Sequence, residues 1–496
     1  MTDEPYLRQI EWEGCDQPIT LRVSQPIEGL PPGVESITFR RDDQYRLAAE
    51  ITGTAEAEAY GAYHQTLREQ VPGTTRPDRL DVDIQHLTGR AAVRFSVGGR
   101  GGPLEFEENR VRWTVERQAY RLRLGRLERL VPQPAWHTDW YLNGPRSLLF
   151  DRPTNHSFST KYVRDRGDGR RVELLGPGGP SGQLDHIVVD TPDVTFVVHR
   201  VPENFGPQWS KNIGIEYGWG GSAIPDEDVR EAISEIVGFA TGRRLLRIGS
   251  TDFDETGRAV AREGLSPWGD DNRSICESPD DSPFRMDGSF ETSTRLEEIL
   301  VDVVPKYLRA REPYSMKDAL EDFWIAQQAP IEIDLPIFSA AVEGLKSAWF
   351  KAPRTKTKGV FVEKAKFDRL LAGTFEMANE ALKGEPFREA ILGKIKRAYE
   401  MGANDGLRNF FVELGVKIGP RERAAIKARN APAHGGSAAS DAELGAMHDH
   451  GRTYQVLFER VFLKVLGYEG QYVDRATVGF PLRNLDEPVG GHDDQT

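Results

Sequence analysis

The sequence predicts an α+β multidomain protein, with a β-rich N-terminal region followed by an all-α C-terminal helical bundle. Three observations predict it. Short segments of alternating polarity, set apart by Gly and Pro clusters, fill the first 220 or so residues. From Asp334 onward the apolar residues recur at helical spacing. The charge is divided along the chain: residues 335–475 carry 23 Lys and Arg against 17 Asp and Glu, an excess of six positive charges, within a total of −13. A length of 496 residues allows about three domains. The chain has 23 Phe, 14 Tyr and 9 Trp, enough to build cores, which excludes long disorder.

Along the first region, residues 36–40 and 45–51 alternate, and 91–97, 111–115, 186–189, 194–199 and 212–217 are further strand candidates. Gly-rich punctuation at 98–103 and 176–180 separates them. These predict a sandwich or irregular barrel over 1–222. A mixed connecting segment is predicted over 223–330. It holds a helix from near Asp226, a hairpin from 245 to 260, and a long acidic loop over 263–288. Two helices follow. One, from near Thr292, is interrupted or ended at Pro305; the other is capped by Ser315 and ends before Pro330.

The bundle is predicted over 331–480 as four or five amphipathic helices. Its apolar stripes are Phe338, Ala341, Val342, Leu345 and Trp349; then Phe367, Leu370, Leu371, Ala378 and Ala381; then Phe387, Ile391, Ile395 and Ala398. Leu407, Phe410, Phe411 and Leu414 follow, and the last runs from Leu444 through Tyr454 and Phe458 to Val465. Residues 481–496 are predicted to be a disordered tail.

Composition excludes several function classes. Two distant cysteines, Cys15 and Cys276, offer no disulfide framework or thiolate metal cluster. No apolar run approaches the ~20 residues of a membrane span. No basic-then-apolar leader is visible, so a cytoplasmic protein is expected. The acidic total argues against coating nucleic acid along the whole surface, whereas a basic C-terminal module fits a local polyanion site or an ordinary solvated face.

The sharpest chemical signal is Arg429-Asn430-Ala431-Pro432-Ala433-His434. Metal-free RNA cleavage needs a group that takes the 2′-hydroxyl proton, one that protonates the 5′-oxygen, and charge against the phosphoryl oxygens. Histidine, with an ordinary pKa of about 6.5, can serve as base or acid. Arginine is a permanent fork of donors for a phosphate, and asparagine can orient both. On this reading His434 transfers the proton, Arg429 holds the phosphoryl oxygens and Asn430 orients the two. Pro432 disfavours helix at Ala431, so the helix from about Pro420 is expected to end at or just after Asn430.

Arg429-Asn430 followed by three residues and then His434-Gly435 resembles the Arg-Asn-x-x-x-His signature of the HEPN superfamily, placed between a helix and a final amphipathic helix. The resemblance covers about the last 140 residues, under a third of the chain. A β-rich front ahead of such a domain is similar to the Apea-like HEPN proteins of bacterial phage defence. The resemblance implies a metal-independent endoribonuclease without cofactors. It acts as a homodimer with both motifs facing one cleft and leaves a 2′,3′-cyclic phosphate. It also implies an acidic residue on the first bundle helix, for which Glu343 is the counterpart, positioned to orient Arg429 or His434. RNA is the implied partner, with a phage-derived or cellular trigger at the N-terminal region and no membrane. Pro432 departs from a continuous helix through the motif.

Other clusters leave their alternatives open. Lys351, Arg354, Lys356 and Lys358 form either an RNA phosphate contact or a solvated loop. Arg421, Arg423 and Lys427 extend the positive field ahead of the motif. His448 and His450, two apart, do not share a helical face, which speaks against a metal site. Residues 136–141 (WHTDWY) fit either base or sugar stacking or a buried strand. Arg408-Asn409 has no His at the motif spacing. A non-catalytic dimerisation and RNA- or nucleotide-binding module is the alternative function. A carbohydrate- or ligand-processing front half lacks a convincing carboxylate pair or nucleophile.

Overall fold

The computed structural model describes residues 18–23, 30–68, 79–86, 89–96, 101–107, 109–125, 134–145, 152–158, 161–165, 171–175, 179–201, 210–255, 257, 259–267, 271–278, 280–285, 296–352, 359–429 and 440–491. The chain is a mixed α+β protein of two compact units. The first comprises residues 1–230, 241–281 and 286–301, and the second 231–240, 282–285 and 302–496.

The strands of the first unit are β1 (Ile19–Arg22), β2 (Val34–Arg41), β3 (Leu47–Glu56), β4 (Arg79–His86), β5 (Gly89–Ser96), β6 (Gly101–Glu107), β7 (Arg110–Gly125), β8 (Trp136–Tyr141) and β9 (Arg152–Phe158). They continue with β10 (Lys161–Asp165), β11 (Arg171–Leu175), β12 (Gly179–Asp190), β13 (Thr195–Arg200), β14 (Ile213–Tyr217), β15 (Arg247–Phe253) and β16 (Ala259–Leu265). The short helix α1 (Ala57–Arg68) follows β3. The main sheet runs β1-β2-β3-β7-β16-β15-β8-β14-β13-β12-β9, while β5 and β6 also pair with β7. The 16-residue β7 links its two parts: Arg110 to Gln118 pair with β3, and Arg121 to Gly125 with β16. Alternation places Ile37, Phe39, Leu47, Ile51 and Trp113 in one core and Trp140, Leu142, Leu246 and Ile248 in another.

The expected hairpin after 245 forms, with β15 and β16 antiparallel and Gly257 at φ +79° in the turn. Its place corrects the predicted domain limits. The hairpin is not part of a separate connecting segment over 223–330; it lies in the middle of the main sheet, between β7 and β8. Pairing across more than a hundred residues depends on edge complementarity, which local sequence does not encode. The expected acidic loop over 263–288 also gives way in part, to the end of β16 and to a short helix α3 (Asn272–Glu277) capped by Asp271.

Helices α2 (Glu227–Thr241), α4 (Leu296–Ala310), α5 (Met316–Gln328), α6 (Ile331–Lys351), α7 (Lys364–Ala381), α8 (Arg388–Lys396), α9 (Ala403–Leu414), α10 (Pro420–Ala428) and α11 (Asp441–Leu466) follow, with a terminal hairpin of β17 (Gln471–Val473) and β18 (Leu482–Asn484). Asp226 caps α2, its carboxylate accepting from the Val229 amide at 2.9 Å. The helical core extends beyond the predicted 331–480. Phe239 of α2 and Tyr307 of α4 meet Phe462 at ring distances of 4.4 and 6.1 Å, and Phe323 of α5 stacks on Phe458 at 4.6 Å. Pro305 does not end α4, which runs through it. The carbonyl that proline leaves without a donor belongs to Val301, which is exposed, so water can satisfy it. Ser315 occupies the α5 N-cap position, but at φ +48° and without a side-chain cap bond.

The predicted disordered tail is a further correction. Leu485 and Val489 are buried, and Asp474 accepts from Arg483 at 2.7 Å and from the Gly490 amide at 2.9 Å. Of the expected tail, only residues 492–496 lie outside the described residues. The second and third predicted stripes also fail to enter the core: α7 buries none of its residues, and Phe387 and Ile391 are exposed.

One core feature gives a pH prediction. Asp334, in the first turn of α6, faces Gly451 of α11 so closely that a Cβ at 451 would lie 2.6 Å from its Oδ2. Its Oδ1 is buried without a hydrogen-bond partner, and burial pushes the carboxyl up to about 6. A raised carboxyl destabilises the fold once ionised. The cost is absent below the ordinary 3.8 and complete above about 6. Asp334→Asn is therefore expected to stabilise by about 1–3 kcal/mol at pH 7.5 and to be neutral near pH 3.5. Thermal melts at the two pH values check this; an unchanged or lower melting temperature at pH 7.5 counts against it.

Candidate functional site

The helix carrying the motif starts as its sequence dictates. Pro420 occupies the first turn of α10, where its missing N–H costs nothing, and Glu422 reaches back to the Gly419 amide at 2.6 Å. The helix ends at Ala428 with Arg429 as its C-cap, two residues or more before the expected end. Asn430 and His434, with Ala431, Pro432 and Ala433, lie outside the described residues.

Arg429 stands where four helices converge. Its Nη1 donates to the Ile426 carbonyl at 2.7 Å, and its Nη2 donates to Asn404 Oδ1 of α9 at 2.9 Å. Glu343 of α6 places Oε1 3.8 Å from that Nη2, while its Oε2 pairs with Lys346 one turn on. Tyr454 of α11 is buried beside them, donating to Ser339 Oγ at 3.4 Å. Its hydroxyl pKa is raised by burial, with Glu343 adding to the rise and Arg429 opposing it. Sequence reasoning paired Glu343 with Arg429 or His434, and the ion pair to Arg429 is present. Asn404 and Tyr454 were not anticipated, because nothing local marks residues that meet only across helices; Lys346, one turn from Glu343 on α6, was also missed.

The same geometry corrects one role. Arg429 was expected to hold phosphoryl oxygens in the open. It is 7% exposed, and both Nη atoms are bonded to protein acceptors. A buried guanidinium must be paired to offset its desolvation, so the carboxylate and amide around it fix it as a structural clamp at the C-terminal end of α10.

The expected RNA contacts separate. Lys351 is exposed at the end of α6, and Arg354, Lys356 and Lys358 lie outside the described residues. Arg421, Arg423 and Lys427 are all exposed on α10, although Arg421 also donates to the Ala476 carbonyl at 3.0 Å and Arg423 to that of Ile418 at 2.7 Å. His448 is exposed and 3.9 Å from Asp449, and among the described residues no group of three or more His, Cys, Asp or Glu is arranged around a metal position.

A second polar centre lies within the first unit. β8 is an interior strand, which puts its aromatic run in the buried-strand class, with Trp140 and Tyr141 in the core. His137 and Asp139 share one face. The Nδ1 of His137 lies 2.6 Å from Asp252 and its Nε2 3.2 Å from Asp139. Asp139 also meets Arg247 at 2.7 Å and Arg230 at 3.2 Å. A pocket of about 330 Å³ opens beside them, lined among others by Ser250, Asp252, Glu227, Arg230 and Glu263. Burial alone would lower the His137 pKa, but its two carboxylates raise it. Burial alone would raise that of Asp139, but Arg247, His137 and Arg230 hold it at about 2. Both ring nitrogens are engaged, so His137 is a bridging cation in a closed ion-pair network rather than a free base. Asp252, Arg230 and Arg247 escaped sequence reasoning; only the sheet register aligns 137 with 252.

Comparison with known proteins finds no matching family model, no similar curated protein and no similar solved structure.

Proposed function

We propose that the helical unit is a metal-independent endoribonuclease of HEPN type, serving anti-phage or toxin-like defence. The observation that carries the reading is the motif segment leaving α10 at a clamped arginine, with Glu343 as its ion-pair partner. His434 takes the proton of a ribose 2′-hydroxyl as its oxygen bonds to the adjacent phosphorus. The bond from phosphorus to the 5′-oxygen then breaks, and that oxygen gains a proton. The products are a 2′,3′-cyclic phosphate and a 5′-hydroxyl. A homodimer with two facing motifs supplies one histidine as base and the other as acid. Arg429 acts as a positioning residue, and the exposed Arg421, Arg423 and Lys427 supply the positive field.

The test is cleavage of RNA by the purified chain in the presence of a chelator, with identification of the 3′ ends. His434→Ala is expected to lower the rate by on the order of 10²–10⁴ while leaving the melting temperature unchanged. Undiminished cutting by that variant refutes the assignment. The burial of Arg429 favours one second reading, a non-catalytic dimerisation and RNA-binding module. It predicts RNA retention without cleavage by wild type and variant alike.

A further inference from the structure

Helices α7 and α8 form an arm that leaves the bundle at a narrow base. The base is closed by the Phe361 amide on the Tyr399 carbonyl at 2.8 Å and the Met401 amide on the Gly359 carbonyl at 3.1 Å. Within the arm, Leu392 is buried, Phe367 meets Tyr399 at a ring distance of 5.6 Å, and Lys396 lies over the Phe375 ring at 4.8 Å. That inner contact leaves the outer face of α7 uncovered. Leu370 is 64% exposed and Met377 69% exposed. Counting at 100° per residue, Lys366, Leu370, Gly373, Met377 and Glu380 fall on one narrow stripe of α7. Helices in proteins draw most of their stability from packing an apolar face, so this exposed stripe is a candidate docking face.

The charges along that stripe identify the cover. The N-terminal half of α7 carries Lys366 and Arg369, and the C-terminal half carries Glu376 and Glu380. We propose that α7 pairs antiparallel with α7 of a second copy of this chain about a two-fold axis passing beside Gly373. In that register Lys366 meets Glu380 of the partner subunit and Arg369 lies beside Glu376 of the partner subunit, and each pair occurs twice. Leu370 fills the space between Gly373 of the partner subunit and Met377 of the partner subunit. Gly373 has no side chain, and space is open around it, so the axes can approach closely at the centre. The parallel arrangement would set Lys366 against its own copy and Glu380 against its own copy, which like-charge repulsion disfavours. A polyanion such as RNA is a poor fit, because half of the stripe is acidic and its centre apolar. This pairing is argued from α7 alone and holds whether or not the bundle cuts RNA.

Sedimentation of the full-length chain is expected to give a dimer. Leu370→Glu is expected to weaken it by on the order of 100-fold, with an unchanged far-UV spectrum and melting profile apart from concentration dependence. Lys366→Glu is expected to weaken it, and the double exchange Lys366→Glu with Glu380→Lys to restore it. Gly373→Cys, in a Cys15→Ser background, is expected to form a covalent dimer on mild oxidation, since only a residue beside the two-fold meets its own copy. A monomeric wild type, a dimer indifferent to Leu370→Glu, or failure of Gly373→Cys to cross-link overturns the proposal. An RNA-cleaving dimer that survives Leu370→Glu sinks this pairing and spares the ribonuclease; a Leu370-dependent dimer in which His434→Ala changes nothing does the reverse.

Discussion

Replacing Arg460 by methionine is expected to cost the helical unit roughly 3–5 kcal/mol, with a deficit that grows as pH rises. Arg460 of α11 is fully buried and paired with Glu422 of α10, which is fully buried as well. Its Nη2 donates to the Leu485 carbonyl at 2.9 Å and the Lys417 carbonyl at 3.2 Å, and its guanidinium lies over the Tyr472 ring at 5.3 Å. One side chain therefore ties α10, the preceding loop and the terminal hairpin to α11. Burial raises the Glu422 pKa, and Arg460 opposes that rise. Methionine fills much of the volume but removes the opposing charge. Glu422 must then ionise unpaired or take up a proton. A raised carboxyl destabilises above its ordinary value of about 4.5 and not below it, so the loss is smaller at pH 4 than at pH 8. Urea denaturation at both pH values measures it. Adding Glu422→Gln should recover a large part of the loss, because the neutral pair leaves no buried charge. Equal stabilities of wild type and Arg460→Met at pH 8 would end this account of the core.

Asp139→Asn is expected to loosen the centre of the main sheet by roughly 3–5 kcal/mol, because it leaves Arg247, Arg230 and His137 without their shared anion. The wild-type pH profile follows from two shifts of opposite sign. Asp139 is depressed from 3.8 to about 2, so its contribution is complete above 3.8 and disappears as pH falls through about 2. His137 is raised above 6.5, so its contribution is complete below 6.5 and disappears as pH rises through the higher folded value. The network is strongest between about pH 4 and 6.5. Hydrogen exchange of peptides covering 136–141 and 247–253 reports it directly. Protection should be greatest inside that window in wild type; Asp139→Asn should lose the acid limb and keep a weaker alkaline limb through the remaining His137–Asp252 pair. A variant as protected as wild type at pH 5.5 would show that Asp139 is not the keystone of the network.

Local chemistry made part of this molecule readable from the chain alone. Proline at the first turn, with Glu422 two residues on, fixed where α10 begins. Asp226 fixed the start of α2, and a glycine able to take φ +79° fixed the turn between β15 and β16. The period of two in β2, β3, β13 and β14 and the helical period of α6 and α11 each specify an element, because they reflect which face must leave water. Of the candidate site, the pairing of Glu343 with Arg429 was legible from residue types, and Asn430 and His434 lie outside the described residues.

What tertiary structure alone decided are the relations between distant edges and faces. Whether an apolar stripe finds a partner is not written in the stripe. Phe338 and Leu370 have similar local settings, yet one is in the core and the other faces water. The hairpin of β15 and β16 joins strands more than a hundred residues away, and Asp252 reaches His137 only through that register. Arg429 reads as an open phosphate ligand in one dimension. Asn404, the Ile426 carbonyl and Glu343 turn it into a buried clamp, because a desolvated guanidinium is stable only where acceptors from several helices meet it.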